Sequence, residues 1–400
     1  SRHHQVGRCH ARPFRSGIAM TINSIRGSAA AIGIGLAGIG EAPGFTHLDL
    51  LGLAVHDAVA DAGLKLSDID GLFTANMENI LPTLAVGEYL GLQPKVAVGT
   101  NTGGNSFVDH LLWAALALQA GLCNYALVCY GSVQRTGGSR PPDAPPYEQV
   151  YKPREPLSSY ALACARHMHE YGTTREQLAS VAVAARAWAR LNPRAYARGP
   201  LSVEDVLASR MICDPLSLLD CCLVTDGAGA VILTRADRAG NRPSKPVYLL
   251  GCASAQTHRQ ISQMPDLTRT AAAMSGPRAF EMAGLAPADV NVLQLYDAFT
   301  INVLLFLEDL GFCAKGEAGA LVASGAIAPG GKLPVNTNGG GLSCVHPGMY
   351  GIFTLIEAIE QLRGTAGARQ VPGAEVALCH GKGGLLSAQT TAMFGTAATL

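Results

Sequence analysis

The sequence is short of charge, and the two signs cancel. Asp, Glu, Lys and Arg make up 15% of the 400 residues, and 30 basic residues are balanced by 30 acidic ones. Globular proteins usually carry about 25% charged residues. Proteins that bind nucleic acid through its phosphates need an excess of Lys and Arg. We therefore expect no nucleic-acid partner.

Long apolar runs and metal-binding spacings are also missing. The longest apolar run, around residues 111–118, is far shorter than the roughly 18 residues of a membrane span. The 11 cysteines include no Cys-x-x-Cys pair, and no Cys/His spacing matches a zinc site. We expect a cytoplasmic protein without a membrane span, metal or disulfide framework, and with Cys221 and Cys222 buried. With 48% hydrophobic residues, the chain can bury a large core.

Acidic residues are absent from the first forty positions, which hold five arginines. An organelle transit peptide has this composition. The alternative, which we favour, is that the native chain starts at Met20 and that residues 1–19 are a leader or an added extension. We leave these residues out of the reasoning about the fold.

A glycine pattern near the start of the chain, Gly33-x-Gly35-x-x-Gly38, fits the dinucleotide-binding fingerprint. That fingerprint requires a strand, a glycine turn and a helix in direct succession. Here Ala42-Pro43-Gly44 follows the glycines and interrupts the pattern. We therefore interpret residues 29–38 as a glycine-rich strand.

The chain carries an internal repeat. Helical spacing over residues 48–62 and a strand-like run at 69–73 predict a β-α-β start. Ala62-Gly63-Leu64 recurs as Ala283-Gly284-Leu285, 221 residues later. A match at a fixed offset in a similar context indicates duplication. We predict an N-terminal half at 20–240, with an inserted loop and helical region at about 132–212, and a C-terminal half at 241–400.

Three motifs in the second half could carry chemistry. Tyr296-Asp297-Ala298-Phe299 leaves a predicted strand, an Asn/Gly-rich run at 336–341 precedes His346-Pro347, and Cys379-His380 precedes glycines at 381, 383 and 384. Glycines let backbone amides approach a ligand, and such amides can hold an oxyanion. A histidine beside them can donate a hydrogen bond or move a proton.

Together these motifs resemble the thiolase superfamily, most closely its sterol-carrier-protein-type branch of thiolase-like lipid-transfer proteins. They match the family's asparagine-glycine stretch, its Gly-His-Pro motif (with Val345 in place of the glycine) and its Cys-x-Gly motif, and Tyr296-Asp297-Ala298-Phe299 stands where the family has Asn-Glu-Ala-Phe. The resemblance covers nearly all of residues 28–397. It implies an α/β fold of five layers, α-β-α-β-α, made of two duplicated halves.

One element of the family is missing. Thiolases attack a CoA thioester with a cysteine at the start of a buried helix, but the corresponding stretch at 98–106 has none. No cysteine occurs between Cys9 and Cys123, and Thr100 or Asn101 takes the position. A threonine hydroxyl would need a dedicated base to act as a nucleophile. The missing cysteine therefore disfavours an acyl-enzyme. It favours retro-aldol cleavage of a β-hydroxyacyl-CoA, which needs no enzyme nucleophile.

The pattern resembles the cysteine-less thiolase-like aldolases that cleave steroid side chains, in which tyrosines move the protons. The resemblance implies proton transfer by Tyr296 and Tyr350. Our hypothesis is that His346, together with glycine-loop amides and His380, holds the oxyanion. Cys379 stands where thiolases keep a second, acid/base cysteine. The expected substrate-binding residues are Thr100, Asn101, Asn338, Gly339, Gly340 and Gly383.

Two other functions stay open at this point. The first is an acyl-CoA C-acyltransferase that uses Cys379 as a displaced nucleophile. The second is a lipid or acyl-CoA carrier without catalysis. The resemblance also implies a homodimer and a small partner protein with a zinc ribbon and an OB-fold, and no cofactor other than the coenzyme A of the substrate.

Overall fold

A computed structural model describes residues 25–138, 144–240 and 242–400. The predicted leader at 1–19 lies outside these residues. Helices and strands alternate in the first part: β1 (Ala29–Gly40), α1 (His47–Asp61), β2 (Gly71–Thr74), α2 (Pro82–Leu90), β3 (Val96–Val98), α3 (Ser106–Gln119) and β4 (Tyr125–Ser132). A mainly helical stretch follows: α4 (Pro146–Gln149), α5 (Leu157–Tyr171), α6 (Arg175–Arg190), α7 (Val203–Ala208), β5 (Met211–Cys213) and β6 (Leu216–Ser217).

The remaining elements repeat the alternation. They are β7 (Asp226–Arg235), β8 (Val247–Gln256), α8 (Ala272–Ala283), β9 (Val292–Leu295), α9 (Thr300–Asp309), α10 (Ala318–Ala323), α11 (Gly351–Arg363), β10 (Val376–Gly383) and β11 (Ala388–Gly395). The predicted boundary at 240/241 falls between β7 and β8, and the exact division into halves stays a prediction.

Nine of the described strands form one mixed sheet in the order β3-β2-β4-β7-β1-β8-β11-β10-β9. The order is nearly symmetric about its centre. Each half places its first strand antiparallel to its last, as β1 with β7 and β8 with β11. The halves join where β1 meets β8, with Ala30 opposite Tyr248 and Ala31 opposite Val247.

The structure confirms the duplication. Strands β2 and β9 begin at the predicted offset of 221 residues, as do the 3-10 turns that precede them, Leu66–Asp68 and Pro287–Asp289. Gly63 and Gly284 both adopt a left-handed backbone, with φ of +64° and +63°. Glycine ends a helix in this conformation without the steric cost that other residues would carry.

Helices α3 and α11 lie between the strands of the two halves and contact both of them. Helix α1 packs on the outer side of β1, β7 and β4, and α8 packs on the outer side of β8 and β11. This arrangement is the predicted five-layered α/β fold. The starts of α3 and α11 are consequently buried near the centre of the molecule, where the motifs of the second half also lie.

The glycines of the dinucleotide-like pattern lie inside β1. A Cβ on Gly35 would lie 1.9 Å from the carbonyl oxygen of Ala54, and one on Gly33 would lie 2.2 Å from that of Ala58. Both carbonyls belong to α1, so these glycines allow the helix to pack closely on the strand. The interpretation as a glycine-rich strand is confirmed.

The helices between β4 and β7 pack against the second half. Helix α6 contacts α9, α10 and a π-helical turn at Gly340–Cys344, while α5 contacts α9. They therefore cover the region of the His346 and Tyr296 motifs. Among the residues that the structure describes, no helix combines the length and apolar character needed to cross a bilayer.

Candidate active site

Three aromatic side chains from the predicted motifs meet in the interior. The Tyr296 ring lies edge-on to the rings of His346 and Tyr350, with centroid distances of 5.6 Å and 5.5 Å. The rings of His346 and Tyr350 are nearly parallel, 6.2 Å apart. Tyr296 is 2% exposed, Tyr350 is fully buried and His346 is 7% exposed. Two motifs that lie far apart in the sequence thus form one cluster.

The start of α11 holds the Tyr296 hydroxyl in place. Tyr296 directly follows β9, and its hydroxyl accepts a hydrogen bond from the backbone N–H of Tyr350 at 3.0 Å. It donates to the carbonyl of Gly348 at 3.3 Å. The loop before α11 is also bound by Tyr130, whose hydroxyl donates to the carbonyl of Pro347. The tyrosine oxygen therefore has a fixed position.

That position lies against the start of α3. A Cβ on Gly104 would lie 2.2 Å from Cε2 of Tyr296 and 2.5 Å from its hydroxyl oxygen. The backbone just before α3 is where the resemblance places the nucleophile of thiolases. In this chain, the Tyr296 hydroxyl lies against that backbone. Burial raises the pKa of Tyr296 well above its ordinary value, so the isolated phenol is protonated near neutral pH.

His346 offers a buried ring nitrogen for a ligand. Its backbone N–H donates to Thr225 Oγ1 at 2.9 Å, whereas its Nε2 is buried without a hydrogen-bond partner within the described part of the chain. Burial, with a further contribution from the Lys382 charge, lowers the pKa of His346 to about 3. The imidazole is therefore neutral, and it can donate one hydrogen bond from Nε2 in the suitable tautomer.

The glycine-loop amides are already bonded within the protein. Gly339 donates to the carbonyl of Asn336 at 2.8 Å, and Gly340 donates to Asn338 Oδ1 at 2.7 Å. The Gly341 N–H donates to Asp297 Oδ1 at 2.6 Å. We therefore no longer assign the oxyanion to these amides. Asn338 instead contacts the ring cluster, because its Oδ1 accepts a hydrogen bond from the Tyr350 hydroxyl at 3.1 Å.

Asp297 is a buried carboxyl that shapes this loop. Besides the Gly341 N–H, it accepts a hydrogen bond from the Leu342 N–H at 3.3 Å. Gly340 has a φ of +65°, and a Cβ there would lie 2.0 Å from Asp297 Oδ2. Burial raises the pKa of Asp297 to about 7, although the two amides favour its ionised form. The carboxyl thus fixes the π-helical turn that leads to His346.

The Lys382 ammonium lies over the Tyr296 ring. Its Nζ lies 5.1 Å from that ring's centroid and 4.6 Å from the centroid of Tyr160. It donates to the Tyr160 hydroxyl and, at 3.3 Å, to the carbonyl of Gly384. Burial lowers the pKa of Lys382 to about 8. Sequence reasoning missed both Lys382 and Tyr160 as members of the site.

His380 and Cys379 have hydrogen-bond partners outside the cluster of Tyr296, His346 and Tyr350. Both ring nitrogens of His380 are paired, Nδ1 with Thr391 Oγ1 at 3.0 Å and Nε2 with Gln389 Oε1 at 2.9 Å. Its imidazole packs on Phe306. Cys379 is buried, donates to the carbonyl of Thr354, and has its pKa raised by burial. We therefore no longer assign His380 to the oxyanion or Cys379 to nucleophilic attack.

Gly383, expected to bind substrate, packs instead on the loop before α3. A Cβ there would lie 1.8 Å from the carbonyl oxygen of Thr102. Thr100 and Asn101, farther along the same loop, are exposed. The Thr100 hydroxyl lies 3.0 Å from Nε2 of His110, a buried histidine whose Nδ1 has no partner in the described structure. Burial lowers the pKa of His110 to about 4, so it is neutral and could accept a proton.

One thiol lies near the ring cluster. It belongs to Cys222. Cys221 and Cys222 were expected to be buried, but both residues are partly exposed. The backbone N–H of Cys222 donates to the carbonyl of Ala298, two residues after Tyr296, at 2.8 Å. Burial of its sulfur raises its pKa, so the thiol is protonated. In the described ranges, no group of three His, Cys, Asp or Glu residues is placed to hold a metal ion.

Comparison with known proteins gives the family. Residues 253–396 match the family described as "Thiolase C-terminal domain-like". An acetyl-CoA acetyltransferase of Methanothermobacter thermautotrophicus is 36% identical over 380 residues, 89% of this chain and 96% of the relative. The chain belongs to the thiolase superfamily. A sterol carrier protein 2 of Oryctolagus cuniculus is 37% identical over 235 residues, 56% of this chain and 42% of the relative, in agreement with the predicted branch.

Within the superfamily, lyases are as similar to this thiolase-like chain as the acetyltransferase is. The 17-hydroxy-3-oxo-4-pregnene-20-carboxyl-CoA lyase of Mycobacterium tuberculosis is 35% identical over 363 residues, 86% of this chain and 93% of the lyase. The solved structure of the "Ltp2-ChsH2(DUF35) aldolase" matches with a TM-score of 0.85 and 31% identity, over 93% of this chain and 98% of the other. These similarities identify a thiolase-like acyl-CoA enzyme.

Proposed function

We propose that this enzyme cleaves the Cα–Cβ bond of a β-hydroxyacyl-CoA thioester by a retro-aldol reaction. The observation that carries the proposal is the Tyr296 hydroxyl, which lies against Gly104, within the stretch 98–106 that corresponds to the nucleophile segment of thiolases and has no cysteine. A proton-transfer group therefore lies beside a segment that has no thiol. The similarity to a steroid carboxyl-CoA lyase supports the same chemistry and suggests a bulky acyl group.

In the proposed reaction, the ionised Tyr296 oxygen takes the proton of the β-hydroxyl group. The O–H electron pair forms a C=O bond at Cβ, and the Cα–Cβ pair moves onto Cα. This releases a ketone or aldehyde and leaves a thioester enolate, whose oxygen accepts a hydrogen bond from His346 Nε2. Cα then takes a proton from Tyr350 or a water molecule. The proton held by Tyr296 passes to the ionised Tyr350 or to the hydroxide, which returns both groups to their starting forms, so no proton is gained or lost overall.

Tyr296 and Tyr350 are distinguished by their hydrogen bonds. The Tyr350 hydroxyl donates to Asn338, which favours its protonated form as an acid. The Tyr296 hydroxyl also donates, to Gly348 at 3.3 Å, but in addition its oxygen accepts an N–H from Tyr350 at 3.0 Å, and an accepted hydrogen bond favours the ionised form. We therefore assign the base to Tyr296 and the acid to Tyr350.

The first prediction concerns these two hydroxyl groups. We expect Tyr296→Phe to lower kcat for 17-hydroxy-3-oxo-4-pregnene-20-carboxyl-CoA, or for a simpler β-hydroxyacyl-CoA, by about 10²–10⁴-fold. Tyr350→Phe should have a smaller effect, because water can replace the acid. The exposed Tyr147 provides the control, Tyr147→Phe. Product ketone is measured directly. Full rates in both Tyr296→Phe and Tyr350→Phe would show that the assignment is wrong.

A second candidate is acyl transfer, and one contact favours it. Thr100 pairs with His110 at 3.0 Å, the hydroxyl–imidazole arrangement that activates nucleophiles in other enzymes. The similarity to an acetyl-CoA acetyltransferase supports it as well. However, no third group orients the His110 ring through Nδ1 within the described residues. An acyl group trapped on Thr100 would establish this function in place of the lyase.

We also propose a small partner protein. The similar aldolase structure, Ltp2-ChsH2(DUF35), is named for a DUF35 protein beside Ltp2, which supports such a partner here. The ring cluster is almost fully buried, so an acyl-CoA reaches it only after neighbouring side chains move. A bound partner could hold that open arrangement. The homodimer, the cytoplasmic location, the coenzyme A entering only with the substrate, and the non-catalytic carrier stay predictions or alternatives.

A further inference from the structure

Lys382 is a buried cation without a carboxylate partner. It is 7% exposed, and across the described chain no Asp or Glu forms an ion pair with it. Buried lysines are rare unless their charge is paired. The groups that surround its Nζ are instead two tyrosine rings and one backbone carbonyl. The Lys382 ammonium, whose burial without a carboxylate costs free energy, therefore lies beside Tyr296.

Hydrogen bonds fix the position of the Lys382 ammonium. An ammonium has three N–H groups. Two of them serve Tyr160 and the carbonyl of Gly384, which leaves the third for the face of Tyr296. Tyr160 is itself held by stacking on Phe299, with centroids 4.4 Å apart. The inserted helix α5 thus supplies the residue that positions Lys382.

A cation above an aromatic ring is attracted to its electron-rich face. The attraction becomes a full charge–charge interaction when the phenol ionises. We propose that the Lys382 ammonium is the positioning cation that stabilises ionised Tyr296 and so makes this tyrosine available as the base. The proposal rests on the retro-aldol function given above. Lys382 acts through Tyr296 and does not itself touch the reacting bond.

The other titratable groups around Lys382 supply no positive charge to Tyr296 near neutral pH. From the loop before α11, His346 carries no charge near neutral pH, because burial lowers its pKa to about 3. From the loop before β7, Cys222 is a protonated thiol. Tyr160, on α5, is buried with a raised pKa and is influenced by Glu155, whose own pKa burial raises. Lys382 is the cation that faces Tyr296 among these groups.

The pair of Tyr296 and Lys382 predicts a pH profile. Two coupled groups lose their protons as a pair. The state that has lost one proton includes the ionised tyrosine beside an ammonium, which is the active base. Because burial lowers the pKa of Lys382 to about 8, kcat/KM should rise with pH and level off above that value. Without the cation, the rise should move toward the raised pKa of a buried tyrosine.

The experiment compares pH profiles of kcat and KM for the full chain with the same β-hydroxyacyl-CoA. In Lys382→Met, we expect kcat at pH 7 to fall by on the order of 100-fold with KM little changed, and the rise in kcat/KM to move to higher pH. Lys382→Arg keeps a cation and should restore much of the rate. The control, Lys332→Met, replaces an exposed lysine and should change neither kcat at pH 7 nor the pH dependence of kcat/KM.

The outcomes separate this inference from the proposed function. If Tyr296→Phe retains the full rate, the retro-aldol assignment itself fails. If Tyr296→Phe is inactive but Lys382→Met keeps the wild-type pH profile, only the role of Lys382 is wrong. If Lys382→Met does not fold, as judged by circular dichroism, Tyr160→Phe takes its place. Tyr160→Phe should lower kcat and move the rise in kcat/KM to higher pH. If the rise in kcat/KM stays at the wild-type pH, the inference is overturned.

Discussion

At the scale of the residue, the site depends on the absence of a side chain at Gly104. The Tyr296 ring and hydroxyl occupy the space that a Cβ at this position would need. We predict that Gly104→Ala lowers kcat by at least about 10-fold, because the tyrosine must move from its place at the start of α3 and such displacements are costly in catalysis. Steady-state kinetics with a β-hydroxyacyl-CoA measure the effect.

The matched control for this substitution is Gly199→Ala. Gly199 has no atom within 4 Å of an added Cβ, and its backbone is not in the left-handed region. This variant should keep the wild-type rate. Wild-type activity in Gly104→Ala would mean that the position of the Tyr296 hydroxyl does not matter for turnover.

Motifs predicted some of the site residues better than others. Tyr296, His346 and Tyr350 were predicted to share a site, and their rings are in contact. The role of His380 was inferred from its place beside glycines, but both of its ring nitrogens are paired with side chains of β11. Lys382 was missed, because a lysine between two glycines gives no sign of which ring it will face.

At the scale of the element, the π-helical turn at Gly340–Cys344 depends on Asp297. A carboxyl whose pKa is higher in the folded than in the unfolded state stabilises the fold below its unfolded pKa, and this contribution is lost as pH rises through the folded pKa. Burial raises the pKa of Asp297 from an ordinary value of 3.8 to about 7. The contribution of the protonated Asp297 to the free energy of unfolding should therefore be lost as pH rises from about 4 to about 7.

The prediction uses Asp297→Asn, which keeps an acceptor for the Gly341 N–H but cannot titrate. Relative to this variant, the wild type should gain about 3 kcal/mol of unfolding free energy when pH is lowered from 8 to 5. Urea unfolding of both proteins at the two pH values measures the difference. A gain of zero or of opposite sign would show that Asp297 is ionised in the folded protein.

This turn could not have been predicted from local sequence. The Asn/Gly-rich run suggested free amides, yet Asp297, 44 residues from Gly341 along the chain, accepts the amide of Gly341 and that of the next residue, Leu342. By contrast, the helix at 48–62 and the strand at 69–73 were predicted well, because their apolar spacing is local. Elements formed by periodic burial are readable from sequence, whereas a turn fixed by a distant carboxyl is not.

At the scale of the whole molecule, the duplication explains why the site is central. The 221-residue offset predicted two similar halves, and strands β2 and β9 follow it. The pairing of β1 with β8, which joins the halves into one sheet, was not predicted, because the choice of partner at a sheet edge depends on tertiary contacts. The halves bring the starts of α3 and α11 together around Tyr296.

The central claim is that this thiolase-like chain breaks a C–C bond without forming an acyl-enzyme. The most direct measurement is intact-mass spectrometry of the protein after rapid acid quenching during turnover of a β-hydroxyacyl-CoA, followed by peptide mapping. We predict an unmodified chain together with ketone or aldehyde and the shortened acyl-CoA. An acyl adduct on Thr100, Cys222 or Cys379 that forms and decays at the rate of turnover would contradict the claim.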